Sequence, residues 1–342
     1  MKKKIKVLYL GNNLCEKSKY KTSIAILSEL LMQDFDLKVC SNKKNKIIRL
    51  LDMCYQLFLN RNKIDYLLID TFSTSAFYFA YITSQIARLF KLRYIPILRG
   101  GDLPSRLDNS KNFSKHIFRN SFVNVAPSGY LDFEFNRRGF STKLIPNVLD
   151  IAKYNFKERK NIQPKILYVR AFASIYNPSM AIYVLKELKK KYPLAELCMI
   201  GPDRDGSLSD IKKLVTELDL DSSVEFTGVL DKEQWHKKSE DYDIFINTTN
   251  FDNTPVSVME VMALGLPVIS TNVGGLPYLL KDKEDSILVE KNDIQSMTKA
   301  IDSLLSSEEK VVAMTKKART KVEGFDWTIV KQKWEAILQN DV

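Results

Sequence analysis

Cysteine and histidine are scarce in this chain, with four cysteines and two histidines among 342 residues. Cys15, Cys40, Cys54 and Cys198 are scattered without CxxC spacing. That argues against a zinc site or a disulfide frame, and for free thiols in a reducing compartment. His116 and His236 lie far apart in sequence with no clustered cysteine, so a bound transition metal is not expected. Neither histidine has a catalytic partner visible in the sequence. Long apolar runs are missing as well. The basic start MKKKIKVLYLGNN carries one short β-like run, too short for the apolar region of a signal peptide. The most apolar stretch, Phe72 to Phe90, is interrupted by Ser73, Thr74, Ser75, Thr83, Ser84, Gln85 and Arg88. It reads as a buried helix, not a membrane span. After Ile5–Leu10 the chain continues Gly11-Asn12-Asn13, without the G-x-G-x-x-G that a dinucleotide needs, which counts against NAD or FAD. No segment interleaves basic and aromatic residues for nucleic acid. A cytoplasmic protein is expected, without a cofactor or metal, either free or peripheral on the inner face of a membrane.

What is present is positive charge, unevenly placed. The net charge is +11, and residues 1–150 hold 25 Lys and Arg against 12 Asp and Glu, leaving 27 against 29 for the rest. The basicity therefore belongs to the first half. Lys2, Lys3, Lys4, Lys6, Lys43, Lys44, Lys46 and Arg49 are candidates for a patch drawn to an anionic membrane surface or a phosphate-bearing acceptor; solvated surface is the plain alternative.

The length exceeds one ordinary core, so two domains of about 150 to 180 residues are expected. Short β-rich runs alternate with helical patterns: Ile5–Leu10, Leu37–Cys40, Asp65–Asp70, Tyr94–Leu98, Phe122–Ala126 and Lys143–Ile145, then Ile166–Val169, Leu197–Ile200, Val224–Thr227, Ile244–Asn247, Pro267–Ser270 and Ile287–Val289. That rhythm predicts βαβ units, and so an α/β fold of two Rossmann-like halves with parallel sheets. A cleft between such halves is the default site.

The most informative stretch is Asp241 to Leu280. A strand runs into the polar loop Thr249 to Thr254, and a helix is predicted over Pro255 to Leu264. Thr254 is its expected cap, Pro255 occupies the first turn, and Gly265 closes the far end. The N-terminus of such a helix, beyond the carboxyl end of a strand, is a natural phosphate site. Asp252 precedes the cap and Glu260 follows in the helix, so one carboxylate can hold sugar hydroxyls and the other a ribose. Asn272, Gly274 and Gly275 form a second turn, expected to allow close backbone approach to a ligand.

This stretch resembles the donor-site signature of retaining GT-B glycosyltransferases of family 4, also called group 1. Asp252 and Glu260 have the seven-residue spacing of its acidic pair, Ala263-Leu264-Gly265-Leu266-Pro267-Val268-Ile269 follows, and Gly274-Gly275 completes it. Asp252 stands where the family usually has Glu. Ile145-Pro146-Asn147-Val148-Leu149-Asp150 resembles the family's domain crossover. The resemblance implies a GT-B fold whose two sheets face across a cleft. It assigns residues 1–148, with a returning helix at about 327–342, to an acceptor-side domain, and 149–326 to the nucleotide-sugar domain. Trp327 and Trp334 are the expected anchors of that helix.

Carried over residue by residue, the resemblance implies donor contacts at Gly11, Arg170, Gly228, Asp252, Asn253, Thr254, Pro255, Val256, Ser257 and Glu260. Catalytic roles fall to Asp102, Arg99, Arg170 and Asp252. Arg170 corresponds to the family's diphosphate-binding arginine; the usual following Lys-Gly is replaced by Tyr176-Asn177-Pro178. Arg99 stands where relatives have a histidine, which shifts the acceptor role to Asp102, with an Arg99–Asp102 pair tying the loop as the structural alternative. Asp203-Arg204-Asp205 and Asp241-Tyr242-Asp243 look like DxD metal motifs but sit in a turn and at a strand start, and are read as structural. The activity implied is retaining transfer of a hexose from a nucleotide-diphosphate sugar, UDP or GDP, to a glycan or lipid-linked acceptor in cell-surface polysaccharide or glycolipid synthesis. A nucleotide-sugar epimerase of the same fold, or a non-catalytic nucleotide-sugar-binding protein, is the alternative.

Overall fold

Each of the twelve predicted runs forms a strand in the computed structural model, which describes residues 4–13 and 22–339. They are β1 (Lys6–Leu10), β2 (Asp36–Cys40), β3 (Tyr66–Thr71), β4 (Arg93–Leu98), β5 (Asn124–Ala126), β6 (Thr142–Leu144), β7 (Lys165–Val169), β8 (Glu196–Ile200), β9 (Val224–Gly228), β10 (Ile244–Asn247), β11 (Val268–Thr271) and β12 (Ile287–Val289). The chain divides into two units, Met1–Val148 with Trp327–Val342, and Leu149–Asp326. The first carries a parallel sheet in the order β2-β1-β3-β4-β5-β6, the second a parallel sheet in the order β12-β11-β10-β7-β8-β9. Sheets covered on both faces need apolar residues at consecutive positions. Accordingly β3, β10 and β11 are buried along their whole length.

In the first unit the helix Trp327–Leu338 returns to the sheet it left. Val330, Trp334 and Leu338 join Val7, Tyr9, Tyr66 and Ile95 in one apolar cluster. Burying a side chain of Trp334's size contributes roughly 2–3 kcal/mol, enough to hold the helix on the sheet. The predicted Phe72–Phe90 helix runs Phe77–Leu89, and Thr83 and Ser84 satisfy their buried hydroxyls on Phe79 O and Tyr81 O. No helix among the described residues is long and apolar enough to cross a membrane.

The expected basic patch needs one correction. Arg49 is buried, and its guanidinium donates to Lys43 O, Lys44 O and Asn12 Oδ1. A guanidinium has five donors to place, and here they staple the start of the helix Lys46–Asn60 to the first loop. Lys2, Lys3 and Cys15 lie outside the described residues.

Candidate functional site

Strands β7 and β10 are neighbours, with β8 and β9 on one side and β11 and β12 on the other. The connections leaving them therefore diverge, and such a switch point, beyond the carboxyl ends of the strands, is where open α/β sheets bind ligands. Arg170 is the first residue after β7, held by its N–H on Ile200 O at 3.0 Å. Its guanidinium pairs with Asp252, from the loop after β10, and lies 4.5 Å from the centre of the Tyr176 ring. Its Nε is buried and has no hydrogen-bond partner among the described residues. Burial lowers the pKa of Arg170 from its usual value, a penalty that a bound anion relieves. Tyr176 thus stands where the resembled family has a second cation, presenting a ring face to the first one. The two loops are tied together: Thr248 Oγ1 donates to Asn177 O at 2.8 Å and the Asn250 N–H to Ile175 O at 2.7 Å.

The helix after this loop runs Val256–Leu264 and starts one residue later than predicted. Thr254 is not its cap. Pro255 holds the cap position with extended backbone (ψ 119°) and no side-chain acceptor, so the helix start is uncapped. The Thr254 hydroxyl is buried without a partner among the described residues, and so is the Ser257 hydroxyl in the first turn. Buried hydroxyls are costly to leave unbonded. Thr254 and Ser257 flank the start of the helix, whose dipole favours an anion, and Arg170 is tied to the same loop through Asp252. Val256 beside them is exposed. The far end closes as expected: Gly265 is left-handed (φ 80°), and a Cβ there would lie 2.5 Å from Lys157 O.

Gly274 and Gly275 lie against the loop that carries Asp252. A Cβ on Gly274 would lie 2.2 Å from Asp252 O, and one on Gly275 1.8 Å from Asn253 O. The Gly275 N–H donates to Asp252 O at 2.7 Å. The close approach they permit is thus to the backbone of the 252–253 segment, fixing the loop that carries Asp252.

Glu260 is buried despite its charge. Its Oε1 accepts from Tyr154 Oη at 2.9 Å and from Lys232 Nζ at 2.6 Å. The Lys232 side chain is half exposed. It opens the helix Lys232–Lys238, which Asp231 and Gln234 fix by a reciprocal capping box. Burial first, and Glu260 second, push the Tyr154 phenol well above its usual pKa, so it donates and does not ionise. His236 packs 4.8 Å from the Tyr154 ring and 4.3 Å from that of Trp235. Burial and then Lys232 lower its pKa from 6.5 to about 4. Because the folded value lies below the unfolded one, the neutral ring's contribution to stability is complete above pH 6.5 and is lost as pH falls toward 4. Between pH 7 and 4.5 the melting temperature of the wild type should fall further than that of His236→Phe, measured by circular dichroism. Equal slopes would show that this imidazole titrates normally.

Gly228 ends β9 with φ 70° and accepts the Gly201 N–H at 2.9 Å. A Cβ on Gly201 would lie 2.0 Å from Arg170 O, so the ends of β7, β8 and β9 are in close contact. The carboxylates of Asp203, Asp205 and Asp243 in the DxD look-alikes are engaged within the second unit. Asp203 accepts the Gly206 N–H, Asp205 accepts from Ser174, and Asp243 accepts the Gln163 N–H.

In the first unit, Arg99 follows β4 with every nitrogen engaged: Nε on Asp70 at 2.9 Å, one terminal nitrogen on Asn147 Oδ1 at 2.8 Å and the other on Tyr9 Oη at 3.0 Å. The alternative Arg99–Asp102 pair is not formed, because Asp70 at the end of β3 takes that guanidinium. Asp102 is exposed at the start of the helix Leu103–Asn109 and does not cap it. Gly11 follows β1, where a Cβ would meet Ile24 Cδ1 at 2.5 Å and Asp70 Oδ2 at 2.7 Å, side-chain ends that would have to shift to admit it. The structure thus gathers Arg170, Asp252, Thr254 and Ser257 in one place, with Glu260 further along the same helix, and gathers Gly11, Arg99 and Asp70 in the other unit. Sequence reasoning missed Tyr154, Lys232, His236 and the ring of Tyr176.

A parallel α/β sheet with a helix N-terminus at its switch point is an architecture suited to holding an anion. A family model described as glycosyl transferases group 1 matches residues 150–321, half of the chain, and the chain belongs to that family. It is 29% identical over 198 residues to an uncharacterized glycosyltransferase of Haemophilus influenzae, covering 56% of this chain and 55% of that protein. It is 29% identical over 184 residues to the amylovoran biosynthesis glycosyltransferase AmsK of Erwinia amylovora, covering 51% and 44%. The chain spans about half the length of these curated relatives. Among solved structures it matches Alr3699/HepE of Anabaena, in complex with UDP, at TM-score 0.75 and 15% identity over 98% of this chain and 99% of that one. The expected GT-B fold, with its two parallel six-stranded sheets, is therefore shown.

Proposed function

We propose that the protein transfers a hexose from a nucleotide-diphosphate sugar to a glycan or lipid-linked acceptor with retention at the anomeric carbon, as the family 4 resemblance implies. Cell-surface polysaccharide or glycolipid synthesis is the setting, supported by the relative named for amylovoran biosynthesis. The observation that carries the reading is that Arg170 Nε, Thr254 Oγ1 and Ser257 Oγ are buried with no partner among the described residues, while Arg170 pairs with Asp252 in the loop that leads into the helix Val256–Leu264.

In this reading the diphosphate takes the place of Asp252 on the Arg170 guanidinium. As the glycosidic bond breaks, charge builds on the leaving diphosphate, and a fixed bidentate cation with the helix dipole stabilises it. Freed from Arg170, Asp252 turns to the donor sugar, Glu260 holds the ribose, and the backbone around Asn253–Ser257 and Gly228 lines the nucleotide. Asp102 in the first unit is assigned to the acceptor. No metal is required for this neutralisation, so chelation by EDTA should leave the rate unchanged.

Thermal shift with UDP, GDP and UMP tests the site. A nucleoside diphosphate at about 100 times its Kd adds about 2.7 kcal/mol, a rise of several degrees, and the monophosphate should do less. Absence of a shift with either diphosphate would remove the basis for the proposal.

A further inference from the structure

The helix Lys46–Asn60 has two apolar faces, and only one is used by the fold. Met53 and Leu57 point into the first unit's core. On the other side Ile47, Ile48, Leu51, Tyr55, Phe58 and Leu59 are exposed, Ile47 by 70%, Leu51 by 63% and Tyr55 by 59%. At 100° per residue these six fall within an arc of about 120° that no polar residue of the helix enters. Leu89, at the end of the neighbouring helix Phe77–Leu89, is exposed by 77%. Single exposed hydrophobics are ordinary, but six on one arc are a contact surface.

The charges around the arc decide its partner. Lys43, Lys44 and Lys46 precede it, and Arg61 and Lys63 follow it. The Arg61 guanidinium lies 4.0 Å from the centre of the Phe58 ring, at the edge of the apolar face. Asp52 is the one acid between Lys43 and Lys63, and it accepts from Ser41 and Cys40 on the flank of the helix. An identical copy would bring like charge against like charge. An anionic headgroup layer neutralises these cations while its acyl boundary takes the apolar arc, which is how amphipathic helices lie in a membrane interface.

We propose that the outward face of the helix Lys46–Asn60 docks the protein on an anionic lipid bilayer, the helix lying parallel to the surface along about 22 Å of its length. The proposal deepens the reading of a lipid-linked or membrane-adjacent acceptor.

Co-sedimentation of the full chain with vesicles tests it, without nucleotide sugar, so that failure here and failure of the donor site are separate results. The wild type should bind vesicles of phosphatidylglycerol and phosphatidylcholine, lose binding as salt is raised, and ignore phosphatidylcholine alone. Leu51→Glu with Tyr55→Glu should weaken binding about tenfold or more, with an unchanged melting curve because both side chains face solvent. Lys43→Gln with Lys63→Gln should weaken it and flatten the salt dependence. Binding that is absent in the wild type, or untouched by the Leu51 and Tyr55 changes, overturns the proposal. Self-association in the absence of vesicles that the same pair of changes abolishes would assign the face to a second copy, and overturns it too.

Discussion

Arg170→Ala is expected to lower the transfer rate by about 10²–10³-fold, the order of the cost of removing one preorganised group from charge that develops in a transition state. The protein should stay folded. Arg170 bonds through its side chain to Asp252 and a ring face, and with the arginine gone the Asp252 side chain, already 15% exposed, can turn to water. Arg170→Lys should recover part of the rate, but not all, since an ammonium lacks the planar fork that grips a diphosphate at two points. Rates with a nucleotide sugar and melting curves on the same preparations separate the two effects. Full activity in Arg170→Ala would remove Arg170 from the mechanism.

Glu260→Ala is expected to act mainly on donor binding. A carboxylate that accepts from a ribose contributes about 1.5–3 kcal/mol per charged hydrogen bond, so nucleotide affinity should fall about 10- to 100-fold. Two stability terms compete. Breaking a fully buried ion pair costs about 3–5 kcal/mol, but Lys232 is half exposed and can return to water. The remaining cost is the buried Tyr154 phenol that loses its acceptor, about 1–3 kcal/mol. The variant should therefore melt lower yet remain folded, with weakened nucleotide binding by calorimetry. Unchanged affinity for the nucleoside diphosphate would confine Glu260 to a structural part, holding Tyr154 and Lys232 together.

The strands were legible because buried parallel strands must be short, apolar and β-branched, and β10 and β12 match their sequence runs residue for residue while β5 starts two residues late at Asn124. The switch-point position of Arg170 and Asp252 follows from the same pattern, since it depends only on which loops end neighbouring strands. What escaped the sequence depends on contacts between distant residues. Tyr154 and Lys232 reach Glu260 from 106 and 28 positions away, and no spacing rule links them. The helix start was misplaced because Thr254-Pro255 fits a capped first turn in sequence, whereas the observed backbone makes Pro255 the cap and strands the Thr254 hydroxyl. The Gly274-Gly275 turn was legible as a close approach, but its partner, the 252–253 backbone, was not. Arg49 counted as surface charge until its three backbone and side-chain acceptors were seen.

The central claim is that one nucleoside diphosphate lies against Arg170 at the start of the helix Val256–Leu264. A crystal structure with whichever of UDP or GDP raises the melting temperature tests it most directly. The account predicts the β-phosphate within hydrogen-bonding distance of Arg170 Nε and the Ser257 hydroxyl, with Asp252 turned away from the guanidinium. A nucleotide bound elsewhere, with the Arg170–Asp252 pair intact, would contradict it.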